Sequence, residues 1–237
     1  MVAGQILKVL IVVTSHSNLG DTNKPTGYYL PEVAHPYEVL KDDYKVEIAS
    51  INGGKAPLDP SSLKLDDPVI KGFWEGGGEK LLANTLKLSD LNPKDYDAVI
   101  YAGGHGTMWD FPDNEKVKSL TAQIYENNGI VAAVCHGPAA LVNVKLSSGK
   151  YLVDGKKVAG FSNAEEDAAG LTKTMPFLLE SKLKARGGEY SAAALWQEHV
   201  VSDQRLVTGQ NPASATAVAK AVARSLKENR KSSEARK

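Results

Sequence analysis

The sequence predicts an α/β fold in which helices cover both faces of a mostly parallel sheet. Short and nearly continuous apolar segments recur along the chain, as expected for strands buried on both faces. Each is followed by a turn and then by a segment with the apolar spacing of a helix. Glycine-rich turns follow two of these strands, at the sheet edge where parallel α/β folds bind their ligands.

Length and charge define the class of protein further. A chain of 237 residues with 42% apolar content fits one large domain, which we predict over residues 1–227, followed by a charged tail at 228–237. Lysine plus arginine number 28, as do aspartate plus glutamate, so the net charge is zero. We therefore expect neither nucleic acid nor a membrane as a partner.

The N-terminal apolar run and the cysteine content predict a cytoplasmic protein. The run from Ile6 to Val13 is interrupted by Lys8 and is too short to span a bilayer, so it is predicted to be a buried strand. Cys135 is the single cysteine, which excludes an internal disulfide and favours a reducing compartment. It is either a small core residue or a reactive thiol.

The first half of the chain contains two strand-turn-helix units separated by an irregular segment. That segment, residues 53–93, is dense in Gly, Pro, Asp and Ser, with short helical patches only at 61–65 and 78–86. A connector of this length is unusual, so we predict a small insertion or cap beside a pocket. The regular elements predicted here are strands at 6–14, 45–50 and 97–102 and helices at 28–40 and 113–128.

The second half begins with a third unit of the same kind. A strand at 130–134 is followed by a helix at 139–144, with Pro138 in its first turn. A hairpin is predicted at 151–158, turning at Asp154-Gly155, and a polar loop at 162–168. The remaining predictions are strands at 189–194, 200–202 and 205–208, helices at 176–186 and 213–227, and a frayed end from residue 228.

The segment around Cys135 has the features of a nucleophile elbow. A buried strand ends at a sharp turn that carries the cysteine, a glycine follows two residues later, and a helix begins at once. Such a turn projects the sulfur into a cleft and aims the amides of the first helical turn at it. These amides are expected to favour the thiolate.

Other residues at the strand ends are candidates for supporting roles. His136 adjoins the cysteine and is expected to act as a base or proton carrier, and its amide can hold an oxyanion. Gly103 and Gly104 end a neighbouring strand, where glycines allow backbone amides to approach a substrate oxygen closely. The glycine patterns of dinucleotide-binding and phosphate-binding loops are absent.

A triad also needs an acid, and the sequence offers several. The loop at 162–168 contains Glu165, Glu166 and Asp167, and spacing does not choose among them. Glu32 in the first helical segment is a further candidate. Glu32 could cluster with His35, His105 and His136 around a metal ion, but no metal-binding spacing supports such a site, and we predict no metal.

Five sequence blocks follow one another in a fixed order along the chain. They are TGYYLPEVAHP at 26–36, AGGHGTMWDFP at 102–112, AAVCHGPA at 132–139, AGFSNAEE at 159–166 and LVTGQNPASA at 206–215. Together they resemble the ThiJ/PfpI superfamily, and within it the branch of heat-shock chaperones and glyoxalase III. The resemblance covers nearly the whole chain and implies a flavodoxin-like three-layer sandwich of the class I glutamine amidotransferase type.

The resemblance implies a role for each candidate residue. Cys135 matches the nucleophile and His136 the histidine that follows it. Glu166 matches the acid that orients this histidine, although Glu165 stands beside it where relatives often have glycine. Glu32 matches the glutamate that hydrogen-bonds the sulfur. Two glycines, with the amide of His136, match the wall that faces the oxyanion; they are Gly103 and Gly104.

The resemblance also implies an activity: conversion of methylglyoxal to lactate through a hemithioacetal on Cys135, without glutathione, metal, nicotinamide or any other cofactor. The expected partners are a small 2-oxoaldehyde substrate and a second copy of the chain, since homodimers are common in this superfamily. Two alternatives remain open. One is a thiol hydrolase acting on peptides, glycated amines or amides. The other is a holdase chaperone or a sensor whose cysteine is oxidised under stress.

Overall fold

The computed structural model describes residues 6–234 and has the predicted mostly parallel central sheet with helices packed around it. In chain order the strands are β1 Lys8–Val13, β2 Lys45–Ser50, β3 Leu86–Lys87, β4 Ala98–Tyr101, β5 Ile130–Val134, β6 Lys157–Val158, β7 Glu189–Tyr190, β8 Val200–Asp203 and β9 Leu206–Gly209. The α-helices are α1 Pro31–Leu40, α2 Pro68–Phe73, α3 Glu79–Ala83, α4 Thr107–Asp110, α5 Glu115–Glu126, α6 Asn163–Ala168, α7 Leu179–Ala185 and α8 Ala215–Glu234.

The order of strands across the sheet places the functional residues. Seven strands are arranged β3-β2-β1-β4-β5-β9-β8, and every neighbouring pair is parallel except β8 with β9. From β1 the chain runs to β2 on one side and later returns to β4 on the other, so the direction of winding reverses beside β1. The carboxyl ends of β1, β4 and β5 lie at this reversal, where open α/β sheets bind ligands.

The centre of the sheet is buried and almost entirely apolar. Each residue of β4 and β5 is buried, and Ile11, Ile100 and Ala132 lie in register across the three central strands. Helices α1 and α8 pack against each other, and α5 packs on β4 and β5. Strands buried on both faces need apolar side chains on both, which explains why these segments read as continuous runs rather than alternating ones.

The segment at 53–93 is more closely integrated than a simple cap. It contributes the edge strand β3 to the main sheet and the helices α2 and α3, and α2 packs on α1. A parallel bridge between Tyr28 and Leu58 joins its start to the chain just before α1. The segment therefore covers the part of the molecule from which α1 begins.

Two predictions in the second half were wrong. The residues after Cys135 form only a 3₁₀ turn, Gly137–Ala140, instead of the predicted helix at 139–144. The predicted hairpin at 151–158 is absent, because β6 pairs in parallel with the distant β7. In both cases long-range packing overrides local propensity, since Gly137–Ala140 is fully buried and the glycine in a turn does not select a partner strand.

The predicted polar loop at 162–168 was also wrong, because most of it is helix α6. Ser162 and Glu165 form a capping box: the Ser162 hydroxyl accepts from the Glu165 amide, and the Glu165 carboxylate accepts from the Ser162 amide. These bonds satisfy two backbone donors that a helix N-terminus otherwise leaves unpaired. The pattern Ser-x-x-Glu is visible in the sequence.

The C-terminal helix extends beyond its predicted end at residue 227. Helix α8 reaches Glu234, so residues 228–234 of the predicted frayed tail are helical, and the last three residues lie outside the described range. Within residues 6–234, no helix is both long enough and apolar enough to cross a lipid bilayer.

Candidate active site

Cys135 lies directly after β5, in a backbone conformation that is unusual for its residue type. Its φ angle is +60°, in the left-handed region that side chains other than glycine rarely adopt. Such strain persists only where the surrounding structure enforces it, and it is typical of functional sites. The conformation turns the chain sharply away from the strand, as predicted for a nucleophile elbow.

Hydrogen bonds from neighbouring segments hold this turn in place. The Cys135 amide donates to the Gly209 carbonyl at 3.0 Å, and the Cys135 carbonyl accepts from the Phe161 amide at 2.8 Å. The Thr107 hydroxyl lies between the carbonyls of Gly104, at 2.9 Å, and His136, at 3.1 Å. The cysteine turn and the glycine turn after β4 are thus joined by one buried hydroxyl.

His136 forms a chain with the cysteine and with Glu166. Its Nδ1 lies 3.5 Å from the sulfur of Cys135, and its Nε2 lies 2.6 Å from Oε2 of Glu166. Burial raises the pKa of Glu166, but the charges and hydrogen bonds of His136 and His105 outweigh it and hold the pKa at about 2. The carboxylate is therefore ionised and only accepts hydrogen bonds, which places the Nε2 proton on His136 and the Nδ1 lone pair toward the sulfur.

The sequence spacing did not show which acidic residue of 162–168 lies near His136, and the structure does. Glu166 faces His136, whereas Glu165 faces away and has four hydrogen-bond donors of its own. Besides the two from Ser162, these are the amide of Trp196, at 3.0 Å, and the side-chain amide of Asn211, at 2.9 Å. Glu165 thus fixes the loop that carries Trp196 beside the site, where the Trp196 ring lies 5.7 Å from that of Phe161.

His105 lies in the site, although the sequence indicated it only as a possible metal ligand. Its Nε2 lies 2.8 Å from Oε1 of Glu166, and its ring centroid is 4.2 Å from that of His136. One carboxylate therefore accepts a hydrogen bond from each of two histidines. The signal that could have identified His105 is its position, directly after the two glycines at the end of β4.

Glu32 approaches the cysteine from the other side. Pro31 occupies the first position of α1, which puts Glu32 in the first turn at the end of the sheet. The Glu32 side chain is completely buried, its Oε2 accepts a 2.6 Å hydrogen bond from the Gly103 amide, and its Oε1 has no partner among the described residues.

Glu32 and Cys135 influence each other's protonation. Burial raises the pKa of Glu32 to about 8, and the opposing effects of the Cys135 thiol and the Gly103 amide are smaller. Burial, followed by the negative charge of Glu32, raises the pKa of Cys135 well above its ordinary value, in spite of the His136 amide, which lowers it. No hydrogen bond of normal geometry joins the two side chains, so we regard their coupling as electrostatic. The His136 amide thus acts in the predicted direction, but burial and Glu32 outweigh it, so the pKa of the thiol is raised and the expected thiolate is not the resting form.

Both members of this buried pair are protonated at neutral pH. Burial disfavours each charge, and two negative charges this close in a nonpolar environment also repel each other, so the Glu32 carboxyl and the Cys135 thiol keep their protons. Burial and the nearby His105 lower the pKa of His136 despite Glu166, which favours a neutral imidazole beside the sulfur. The resting site therefore has an unprotonated histidine on one side of the cysteine and a protonated carboxyl–thiol pair on the other.

The glycine turn divides its backbone amides between two tasks. Gly103 was predicted to face an oxyanion, but its amide is occupied by Glu32. Gly104 has a φ of +108°, and a Cβ there would collide with the carbonyl of Gly27. Its amide donates to no described residue. The amides of Gly104 and His136 are thus the candidates for an oxyanion wall.

Among the described residues, the one cluster of potential metal ligands is His105 with His136 and Glu166. Its ligand atoms lie within 4.8 Å of one another, but they are already joined by the two histidine–carboxylate hydrogen bonds, so we assign a hydrogen-bonded triad. His35 belongs elsewhere, since it bonds Asp67 at 3.1 Å at the start of α2.

A parallel α/β sheet with a cysteine elbow, a histidine–carboxylate pair and a second buried carboxyl defines a class of cysteine-dependent α/β proteins. The comparison with family profiles is more specific: the DJ-1/PfpI family matches residues 26–225. The chain belongs to the DJ-1/PfpI family.

Individual relatives resemble the chain over nearly its full length. Glyoxalase 3 of Candida albicans is 34% identical, over 92% of this chain and 97% of the relative. The glutathione-independent glyoxalase HSP31 of Saccharomyces cerevisiae is 32% identical, over 90% and 94%.

Solved structures show the same fold. Rapid Encystment Protein 24 kDa of Francisella tularensis superposes with a TM-score of 0.90 at 45% identity, over 93% of this chain and 99% of that one. Glyoxalase III from Candida albicans superposes with a TM-score of 0.86 at 33% identity, over 92% and 97%.

Proposed function

We propose that this protein is a glutathione-independent glyoxalase that converts methylglyoxal, a small 2-oxoaldehyde, into lactate. Relatives of 32–34% identity bear names of this activity. The observation that carries the proposal is the raised pKa of Glu32, about 8, beside the buried thiol of Cys135. Conversion of an aldehyde and ketone into an acid and alcohol requires a group that moves a proton between two carbons, and a carboxyl that titrates near neutral pH is suited to that task.

The first step is addition of sulfur to the aldehyde. The neutral imidazole of His136 takes the proton of the Cys135 thiol, and the resulting thiolate attacks the aldehyde carbon. The Glu32 carboxyl gives its proton to the resulting alkoxide, which yields a hemithioacetal, while the amides of Gly104 and His136 stabilise the charge on oxygen. Glu32 is then a carboxylate, and it recovers its proton from His136 when the product leaves.

The second step moves one proton and the third consumes water. Glu32 or His136 removes the proton from the former aldehyde carbon, giving an enediol, and returns it to the adjacent carbon. This product is a 2-hydroxy thioester of Cys135. Water cleaves the thioester, which releases lactate and the free thiol. The sum is one methylglyoxal plus one water giving one lactic acid, so the reaction needs no external oxidant or reductant.

The proposal is tested by incubating purified protein with methylglyoxal, without glutathione, and measuring lactate. Heat-denatured protein serves as the control, because methylglyoxal is also lost by reaction with lysine and arginine. Lactate formation by the wild type that is absent in Cys135→Ala supports the proposal. A reduced wild-type protein that forms no lactate contradicts it.

A thiol hydrolase is the second candidate, since the order of Cys135, His136 and Glu166 also suits acyl transfer. The 3.5 Å and 2.6 Å separations along this chain favour it. Cleavage of fluorogenic peptides or thioesters that is lost in Cys135→Ala, together with absence of lactate formation, would establish it.

We further propose that the protein acts in the cytoplasm as a homodimer. The buried Cys135 is a free thiol, and a mechanism that uses it requires a reducing compartment. Members of this superfamily are commonly dimers. Light scattering after gel filtration tests the assembly, and a monomeric mass at micromolar concentration would exclude it.

A further inference from the structure

Trp196 lies beside the site but takes no part in the proposed chemical steps. It is 47% exposed, and its φ angle is +62°, in the left-handed region that side chains other than glycine rarely adopt. A backbone conformation of this kind costs free energy and persists where the surrounding structure enforces it, which is common beside ligands. The conformation therefore points to a function for the exposed ring.

The loop that carries Trp196 is fixed to the same backbone that fixes Cys135. The Trp196 amide donates to Oε1 of Glu165 at 3.0 Å, and the carbonyl of the following residue accepts from the Asn211 side chain at 2.6 Å. Glu165 directly precedes the acid of the triad. Asn211 lies two residues beyond Gly209, whose carbonyl accepts the Cys135 amide. Trp196 therefore keeps a set position relative to the nucleophile.

A row of aromatic rings connects Trp196 with the catalytic histidine. The ring of Phe161 lies 4.2 Å from that of His136, and the Trp196 ring lies 5.7 Å from that of Phe161. Phe161 and His136 are buried, so Trp196 is the member of the row that is open to solvent. The sulfur of Cys135 lies at the other end of the row, 3.5 Å from Nδ1 of His136.

We propose that Trp196 is a specificity-determining residue that contacts the substituent on the ketone carbon of the substrate and favours 2-oxoaldehydes with a flat aromatic substituent. This inference rests on the proposed function for the reaction that the substrate undergoes. The aldehyde carbon bonds to the sulfur at the buried end of the row, so the ketone substituent extends toward solvent and the indole ring. The methyl group of methylglyoxal offers this ring little area, whereas a phenyl ring stacks on it or meets it edge to face.

Kinetics with phenylglyoxal and methylglyoxal test this contact. Phenylglyoxal plus one water gives one mandelic acid by the same steps, so product formation is measured for both substrates. The variants are Trp196→Ala, which removes the ring, and Trp196→Phe, which keeps an aromatic face. Both retain a Cβ, so the backbone strain at this position is unchanged. Leu195→Ala is the matched control, because it removes an apolar side chain of similar exposure, 41%, from the neighbouring position.

We expect Trp196→Ala to lower kcat/KM for phenylglyoxal by about tenfold, through KM, and to change kcat/KM for methylglyoxal by less than about twofold. Trp196→Phe should stay within about threefold of the wild type for both substrates. Leu195→Ala should leave the ratio of the two kcat/KM values unchanged. General damage to the site would lower kcat for both substrates equally, so the difference between the substrates distinguishes a contact from a structural role.

Binding calorimetry measures the same contact without turnover. The probes are mandelate and lactate, titrated into full-length Cys135→Ala protein with and without Trp196→Ala. We expect mandelate to bind about tenfold more weakly when the indole ring is absent, and lactate to bind equally to the two proteins. If the wild type forms neither product, this comparison still decides the inference, so failure of the proposed function is distinguishable from failure of this inference.

Mandelate that binds equally to the two proteins, or that binds to neither, overturns the proposal. An equal loss of kcat/KM for both substrates in Trp196→Ala also overturns it. A lower molar mass of Trp196→Ala in light scattering, with an unchanged ratio of the two kcat/KM values, would assign the ring to a contact between copies of the chain instead. A circular dichroism spectrum and melting temperature matching the wild type confirm that each variant is folded.

Discussion

The carboxylate of Glu32 accepts a 2.6 Å hydrogen bond from the amide of Gly103 and lies beside the thiol of Cys135. The backbone after β4 thus positions the Glu32 carboxyl beside Cys135, the nucleophile that follows β5. Because Glu32 is completely buried, its protonation is linked both to the stability of the fold and to the reactivity of the sulfur.

Glu32 should make the protein less stable as the pH rises. Its pKa is about 8 in the folded state against an ordinary 4.5, so the folded state binds its proton more tightly, and this contribution declines from pH 4.5 to 8. Replacement by a neutral amide removes this penalty. We expect Glu32→Gln to gain roughly 1–3 kcal/mol relative to the wild type between pH 5 and 9.

Urea unfolding at several pH values measures this difference. Glu189→Gln is a matched control, because Glu189 is exposed on β7 and its replacement should not alter the pH dependence. A constant difference between Glu32→Gln and the wild type across this range would show that Glu32 is ionised throughout.

The same substitution should make the thiol more acidic. Burial is the main cause of the raised pKa of Cys135, and the charge of Glu32 is the next. In Glu32→Gln the sulfur should therefore react with iodoacetamide at lower pH than in the wild type. Since Cys135 is the single cysteine, the labelling rate reports this group alone. An unchanged or upward-shifted labelling profile would disprove the coupling.

Catalysis should nevertheless be impaired in Glu32→Gln, because an amide cannot move the proton between carbons. We expect lactate formation to fall by about 10²-fold to 10⁴-fold in kcat. Steady-state kinetics with methylglyoxal measure the loss, and full retention of activity would exclude Glu32 from proton transfer.

Glu166 should contribute stability that is lost in acid, opposite to the effect of Glu32. Burial raises its pKa, but the two histidines hold it at about 2, below the ordinary 4.5. Its stabilising effect is therefore complete above pH 4.5 and declines as the pH falls toward 2. Glu166→Gln should be less stable by about 1–3 kcal/mol at pH 7, and the difference from the wild type should shrink below pH 4.5. Denaturant titrations between pH 3 and 7 test this, and a difference that grows in acid would refute it.

Gly103 should tolerate no side chain. A Cβ at this position would lie 2.8 Å from both the amide nitrogen of His136 and the carbonyl oxygen of Val134, and would overlap Oε2 of Glu32. Gly103→Ala should destabilise the fold by about 1–3 kcal/mol and abolish most activity. At Gly76 a Cβ meets nothing within 4 Å, so Gly76→Ala should be close to neutral in the same melting and activity assays. Equal effects of the two substitutions would contradict the packing argument.

The sequence predicted the central fold because its strands carry their own signal. Segments such as β5, Ile130–Val134, are apolar at every position, which is typical of strands in the middle of a parallel sheet because both of their faces are buried. The pairing of β6 with β7 was not predictable, because two-residue strands joined over a distance of about thirty residues have no local pattern. Strand β3, in the segment at 53–93, is also only two residues long and was not predicted for the same reason.

The structure brings the four predicted catalytic residues together, while their catalytic roles stay predictions and their electrostatics could not be read from the sequence. The turn after β5 indicated Cys135 and His136 as site residues, and the family resemblance implied Glu32 and Glu166. Protonation states depend on burial and on several side chains at once, which a sequence does not show. The sequence therefore predicted a thiolate, whereas burial, and after it the charge of Glu32, raises the pKa of the Cys135 thiol in the folded protein. His105 was missed as a partner of Glu166, 61 positions along the chain.

The most direct test of the central claim is a single-turnover experiment. Protein in excess over methylglyoxal is mixed rapidly, quenched at intervals with acid, and analysed for lactate and for covalent modification by intact mass and peptide mapping. We predict that a methylglyoxal adduct forms on Cys135 and decays at the rate at which lactate appears. Lactate that forms without any adduct on Cys135, or adducts confined to lysine and arginine with no lactate, would contradict the account.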